Sequence, residues 1–482
     1  MQPVSRFVSR AHGSLDATLP FGNNVVTMPE SETKKSKEPL AREIGLIGAV
    51  SLGLGAMIGA GVFVLSGMAA GAAGPALILA FALNGLIALI VGACYAELST
   101  MMPQAGGAYI FAKPGLGPMA GFFAGWMSWF AQTIACSLYA TAFGSFSVAL
   151  VHSLTGRVLG DTVATSIAVV ALVSFSWLNY QSAGDTGRLE IIVTSLKIAV
   201  LVVVVGFGLW MIAGKAEPTA AFTPFLPEGG LGLLGAMGLT FIAFEGYEII
   251  VQTAEEVERP SQTIPRAIFI SIVVAVTLYI LVAIVLLGAV SAPPGLAVYQ
   301  YLGQLGELGL MEAAGQFVAG GKVVLLIAGL ASTASALNAT AYGSSRIALA
   351  MGRGGDLPSP LAQIHETHRT PHIAIAVTCC VMILVTLLLP IRDIAAATDI
   401  MFLLVFAMVC AAVIRLRTLW PDRARPFRVP LSPWLPSVGI AAGLLLSIGL
   451  IELSVLAWIT AGSWLTLGLA VYALHHWRHR DR

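Results

Sequence analysis

Gly48 to Gly67 reads GAVSLGLGAMIGAGVFVLSG, and Gly238 to Val257 reads GLTFIAFEGYEIIVQTAEEV. Both stretches are long and apolar, and both are interrupted near the middle. In the first, Gly59-Ala60-Gly61 makes a poor helix interior, because glycine costs roughly 1 kcal/mol there against alanine. In the second, Glu245-Gly246 sets a carboxylate and a glycine at mid-depth. Both therefore read as broken helices. Small residues in the first could serve close helix packing instead. The second interruption, five apolar runs further on, favours a matched pair. Broken spans in corresponding positions of two halves point to a transporter of inverted repeats with a site at mid-membrane.

The rest of the chain agrees with a membrane protein. Of 482 residues, 57% are apolar and 11% are charged, against about 25% charged in soluble domains. The mean hydropathy is +0.86. A bilayer core of about 30 Å takes about 20 apolar residues per helix. Runs of that kind lie at 44–66, 73–97, 118–151, 162–180, 188–212, 232–255, 264–289, 320–350, 372–390, 394–415, 435–453 and 456–477. The expectation is an all-α integral membrane protein of about twelve transmembrane helices, with the first and sixth broken. Residues 295–319 are amphipathic and too charged to span, and are expected as a short helix on one face. Residues 1–41 are polar, hold Lys34, Lys35 and Lys37, and carry no cleavable signal pattern. They read as a disordered tail. Residues 42–478 read as one transporter domain.

Lysine and arginine orient the spans. With the amino terminus inside, twenty-one of the 26 fall on the inner side, four fall outside (Arg157, Lys215, Lys322 and Arg392), and Lys197 lies within a span. Both termini are therefore expected in the cytoplasm. A net charge of +1 argues against nucleic acid as a partner. The five cysteines all sit in apolar runs without a CxxC pair and read as packing residues. The eight histidines show no ligand spacing, and no P-loop is present, so neither a metal, a cofactor nor an enzyme site is expected.

The chemistry sits at the breaks. A broken helix exposes N–H groups at one half-helix end and C=O groups at the other. The N–H end suits a carboxylate and the C=O end an ammonium. A zwitterionic amino acid would thus present its carboxylate to the amides of Ile58, Gly59, Ala60 and Gly61. Its amine would meet carbonyls near Phe241, Ala243 and Phe244. Glu245, beside Gly246, and Glu248 could bind a cationic side chain, carry a proton, or cap the broken helix. Lys197 stands in the middle of the fifth run, where a charge costs about 2.5–3.5 kcal/mol on insertion scales. A lysine out of water can exchange a proton within a transport cycle. Its expected partners are the hydroxyls of Ser332, Thr333 and Ser335 in the eighth run, although such hydroxyls also bond back to their own helix. Glu255 and Glu256, beside Arg259 and Arg266, read as an inner gate or a solvated ion-pair cluster. Glu97 and Glu452, near span ends, read as interfacial. Trp126, Trp129, Trp177 and Trp210 read as packing residues or interface anchors.

Four stretches carry a resemblance to the amino acid–polyamine–organocation (APC) family: REIGLIGAVSLGLGAMIGAGVFVLSG (42–67), AELSTMMPQAGGAYIFAKPGLGP (96–118), FIAFEGYEIIVQTAEEVERPSQTIPRAI (241–268) and RARPFRVPLSPWLP (423–436). The resemblance implies a LeuT-like fold of five plus five inverted helices, about 44–212 and 232–415, with two added helices at about 435–477. It implies substrate between the first and sixth spans and alternating access. In several proton-coupled members a fifth-span lysine takes the place of the cation held by sodium-coupled relatives, and Lys197 matches that position. The expected function is thus secondary active transport of an amino acid or related amine across the cell membrane, coupled to protons. Amino acid or polyamine exchange, and substrate sensing without transport, are the alternatives.

Overall fold

The computed structural model describes residues 42, 44–104, 106–181 and 186–480, without the side chains of 186–189, 452–453 and 475–480. The expectation for residues 1–41 and the reading of the Glu452 side chain fall outside that description. In chain order the helices are α1 (Leu46–Met57), α2 (Ala60–Ala73), α3 (Leu77–Met101), α4 (Ala108–Leu116), α5 (Pro118–Thr155), α6 (Asp161–Gln181), α7 (Thr186–Ala213), α8 (Gly229–Thr240), α9 (Tyr247–Gln252), α10 (Pro260–Ala289), α11 (Val298–Leu305), α12 (Gly309–Phe317), α13 (Gly321–Arg353), α14 (His372–Leu388), α15 (Ile391–Leu419), α16 (Trp434–Leu453) and α17 (Val455–Arg480). Proline opens α5 and α10, where its missing N–H costs nothing.

Among the described residues, ten helical segments are long and apolar enough to cross a membrane. One of them, Leu46–Met101, runs on for 56 residues and holds two spans. The apolar helix His372–Leu388 is shorter, at 17 residues, and closes the count at twelve. The first span is α1 and α2; the sixth is α8, a tight turn over Phe241–Phe244, and α9. The surface segment before α13 forms two short helices, α11 and α12, where one was expected, because Gly306 ends the first with φ +56°. Helix α4, which sequence reading did not separate, is preceded by Gly107 with φ +53°.

The packing repeats itself when each span is exchanged for the one five places on. The first span packs on the sixth, the second (α3) on the seventh (α10), the third (α5) on the eighth (α13), and the fourth (α6) on the ninth (α14). Likewise α7 packs on α1, α10 and α13, while α15 packs on α8, α3 and α5. Five is odd, so the two sets run in opposite directions. This is the five-plus-five inverted repeat, with α16 and α17 added. Of the sixth-span window 94% is buried, against 17% of the last, so the broken span lies at the centre and α17 at the rim. Trp177 and Trp210 are exposed at that rim. Trp126 and Trp129 are buried, and Trp126 stacks on Trp464 of α17.

Glu97 is not interfacial. It is buried at the end of α3. Its carboxylate accepts from Arg417 Nε and Nη2 at 2.9 and 2.5 Å and from the Val429 amide at 2.7 Å, with Arg425 Nε at 3.3 Å. Two of the four stretches that carry the family resemblance meet there. A Glu97→Gln variant leaves two guanidinium groups short of a counter-charge. Breaking a buried pair in this way costs about 3–5 kcal/mol. The expected result is a clear loss of melting temperature in detergent; an unchanged temperature would refute the structural role.

Candidate transport site

The two breaks lie against each other. Met57 ends α1, and Ile58 and Gly59 leave helical geometry before α2 opens at Ala60. In the sixth span Glu245 is extended and Gly246 takes φ +139°, a conformation open to glycine but strained for L side chains. A Cβ on Gly246 would stand 2.8 Å from the Met57 nitrogen, and one on Gly61 would stand 2.5 Å from Ala243 Cα. Glycine at both positions is what allows the backbones to touch. Tyr279 of α10 bridges them, its hydroxyl lying 2.7 Å from the Met57 carbonyl and 2.8 Å from that of Ala243.

Of the expected amide set, Ile58 N–H closes the last turn of α1 on Leu54 O at 2.8 Å, and the Ile58 carbonyl accepts from Ser332. Gly59, Ala60 and Gly61 form the opening turn of α2, whose first amides have no partner within the helix. Phe241, Ala243 and Phe244 form the sixth-span turn, all buried. A cavity lined by Ala56, Tyr139, Glu245, Gly246, Glu248 and Phe402 lies between the breaks. It has room for about one water molecule, so admitting an amino acid requires the surrounding spans to part.

Lys197 is buried in α7 and donates to the Gly55 carbonyl in α1 at 2.6 Å. Among the described hydrogen bonds, the three expected hydroxyls go elsewhere. Ser332 holds the first break, Thr333 bonds back to Gly329 O of its own helix at 2.8 Å, and Ser335 donates to Glu190. Glu190 was missed. It is buried, accepts from Thr194 at 3.1 Å, and packs on Gly55, where a Cβ would stand 2.0 Å from its Oε1. Positions 190, 194 and 197 share one helix face, and that spacing was the available signal.

The two acids of the break differ. Glu248 accepts from the Gly246 amide at 2.8 Å and so steadies the turn. Among the described residues neither oxygen of Glu245 has a hydrogen-bond partner, and Asp399 of α15, a buried acid in an apolar run that the sequence reading passed over, is approached by the Ile242 backbone and by no side-chain donor. At the basic end of the bundle, Glu256 lies near Arg346, which stacks on Tyr342, rather than in a described ion pair with Arg259 or Arg266. Burial pushes the Glu256 carboxyl above its ordinary range, against the opposing pull of Arg346. The Ile44 amide donates to Glu256 O, and the Glu258 amide to Ile44 O, at 3.0 and 2.9 Å. This bridge ties the ends of α1 and α9 together.

The sequence profile of the amino acid permease family matches residues 44–473. The branched-chain amino acid permease BcaP of Bacillus subtilis (strain 168) is 30% identical over 457 residues, covering 92% of this chain and 95% of its own. The methylthioribose transporter of the same organism is 29% identical over 467 residues, covering 93% and 96%. The inner membrane transport protein YbaT of Escherichia coli (strain K12) is 30% identical over 394 residues, covering 81% and 86%.

Proposed function

The chain belongs to the amino acid permease family, and from that premise we propose that it takes up an amino acid or related amine across the cell membrane by alternating access, coupled to protons through Lys197. A transporter of this family is not an enzyme. The observation that carries the reading is the contact of the two breaks, Gly61 on Ala243 and Gly246 on Met57. An N–H-rich helix start then abuts a C=O-rich turn, which is the charge pattern of a zwitterion, and the small cavity lined by Ala56, Glu245 and Gly246 lies beside them.

Lys197 supports the coupling. It grips the carbonyl of Gly55, just before the first break, so loss of its proton turns a charge-assisted tie between α7 and the half-helix α1 into a weaker neutral one. Two relatives of nearly equal identity are named for different solutes, a branched-chain amino acid and methylthioribose. Neither name is carried over, and the proposed substrate is the class. The domain assignment stands within this proposal: residues 42–478 as the transporter, repeats at about 44–212 and 232–415, and the basic face, with both termini, in the cytoplasm.

The test is counterflow. Proteoliposomes preloaded with unlabelled amino acid should take up label without a pH gradient, and an inward proton gradient should drive uptake into empty ones. Label uptake that always requires internal amino acid makes the protein an exchanger. Binding without flux makes it a sensor.

A further inference from the structure

We propose that the site takes a substrate bearing a positive charge beyond its α-ammonium, held jointly by Glu245 and Asp399; this rests on the transport site proposed above. Glu245 lines the cavity between the breaks and is 3% exposed. Asp399 is 0% exposed on α15, one turn before Phe402, which lines the same cavity, and α15 packs on the sixth-span turn that leads into Glu245. Among the described residues no side chain donates to either carboxyl group and no ion pair involves either residue; the donor that reaches Asp399 is the Ile242 backbone.

The other buried acids of the spans are placed differently. Glu97 is held by two arginines and an amide, Glu190 by the Ser335 and Thr194 hydroxyls, and Glu248 by the Gly246 amide. Those acids have structural partners. Glu245 and Asp399 have no cationic or side-chain partner among the described residues, and a buried carboxylate without a counter-charge is costly. A neighbour of like charge makes it costlier.

Counting charge identifies what would satisfy them. The opening turn of α2 suits a carboxylate, and the sixth-span turn suits an ammonium. A neutral zwitterion is complete with those two. Two further acids at the same turn exceed its need, and they match a second ammonium or a guanidinium, which donates in a fork to paired carboxylates. Tyr139 and Phe402 line the same cavity and offer aromatic faces to such a cation and its methylenes.

The purified full-length chain tests this by thermal stabilisation with lysine, arginine, ornithine and putrescine against leucine and alanine. Cationic ligands are expected to bind at least about tenfold more tightly than leucine. Glu245→Gln and Asp399→Asn should each weaken them by about ten- to a hundredfold, the effect of one charged hydrogen bond. Leucine or alanine binding as tightly as lysine and arginine would overturn the proposal, as would wild-type affinity for cationic ligands in both variants. The pair would then store a proton or simply be neutral, and the transport reading would stand. Silence across the whole panel would remove both. If a variant fails to fold, the wild-type ranking alone decides.

Discussion

Replacing Gly61 with valine is expected to reduce uptake to the level of empty vesicles while leaving a protein that still folds. A Cβ at this position meets Ala243 Cα at 2.5 Å, Cβ at 2.6 Å and N at 3.0 Å. Two of those atoms are backbone, so no side-chain rotation relieves the clash. The first and sixth breaks must separate, and the amides at Gly59–Gly61 then no longer oppose the carbonyls of the sixth-span turn. Overpacking a core costs about 1–3 kcal/mol, a loss the remaining spans can absorb. Gly61→Ala makes the same contacts without the branches and should fall between. Full uptake by the valine variant would show that the breaks need not touch.

Lys197→Met is expected to abolish accumulation driven by an inward proton gradient while leaving substrate counterflow measurable. Methionine keeps most of the length and none of the charge. The stability terms nearly cancel. Removing a lysine from mid-membrane relieves about 2.5–3.5 kcal/mol, and the Gly55 carbonyl, 2.6 Å from Nζ, loses a donor worth about 1.5–3 kcal/mol. Lost gradient drive therefore reports coupling rather than unfolding. Glu190 sits on the same residue of α1, and only the titrating amine is removed by this substitution. A variant that still concentrates substrate on a proton gradient would exclude Lys197 as the coupling group.

The span count was legible because bilayer thickness dictates helix length, and the breaks at Gly59–Gly61 and Glu245-Gly246 were legible because glycine and acid are poor choices at mid-membrane. What the sequence could not supply was partnership. Ser332, Thr333 and Ser335 look alike in one run, yet they bond to the first break, to their own helix and to Glu190. Glu97 read as interfacial because its partners Arg417 and Val429 lie more than 300 positions away. Tyr279 carries no signal at all: one tyrosine in an apolar helix reads as packing until its hydroxyl is found between Met57 O and Ala243 O. Asp399 could have been found by the same rule that singled out Lys197, an ionisable group at membrane depth.

The central claim is that an amino acid or amine crosses between the first and sixth breaks. Uptake of labelled substrate into proteoliposomes, with wild-type chain and Gly61→Val reconstituted side by side at equal protein, tests it most directly. The account predicts flux well above protein-free vesicles for the wild type and none above them for the variant. Equal flux through both, or no flux through the wild type with any amino acid or amine, would contradict it.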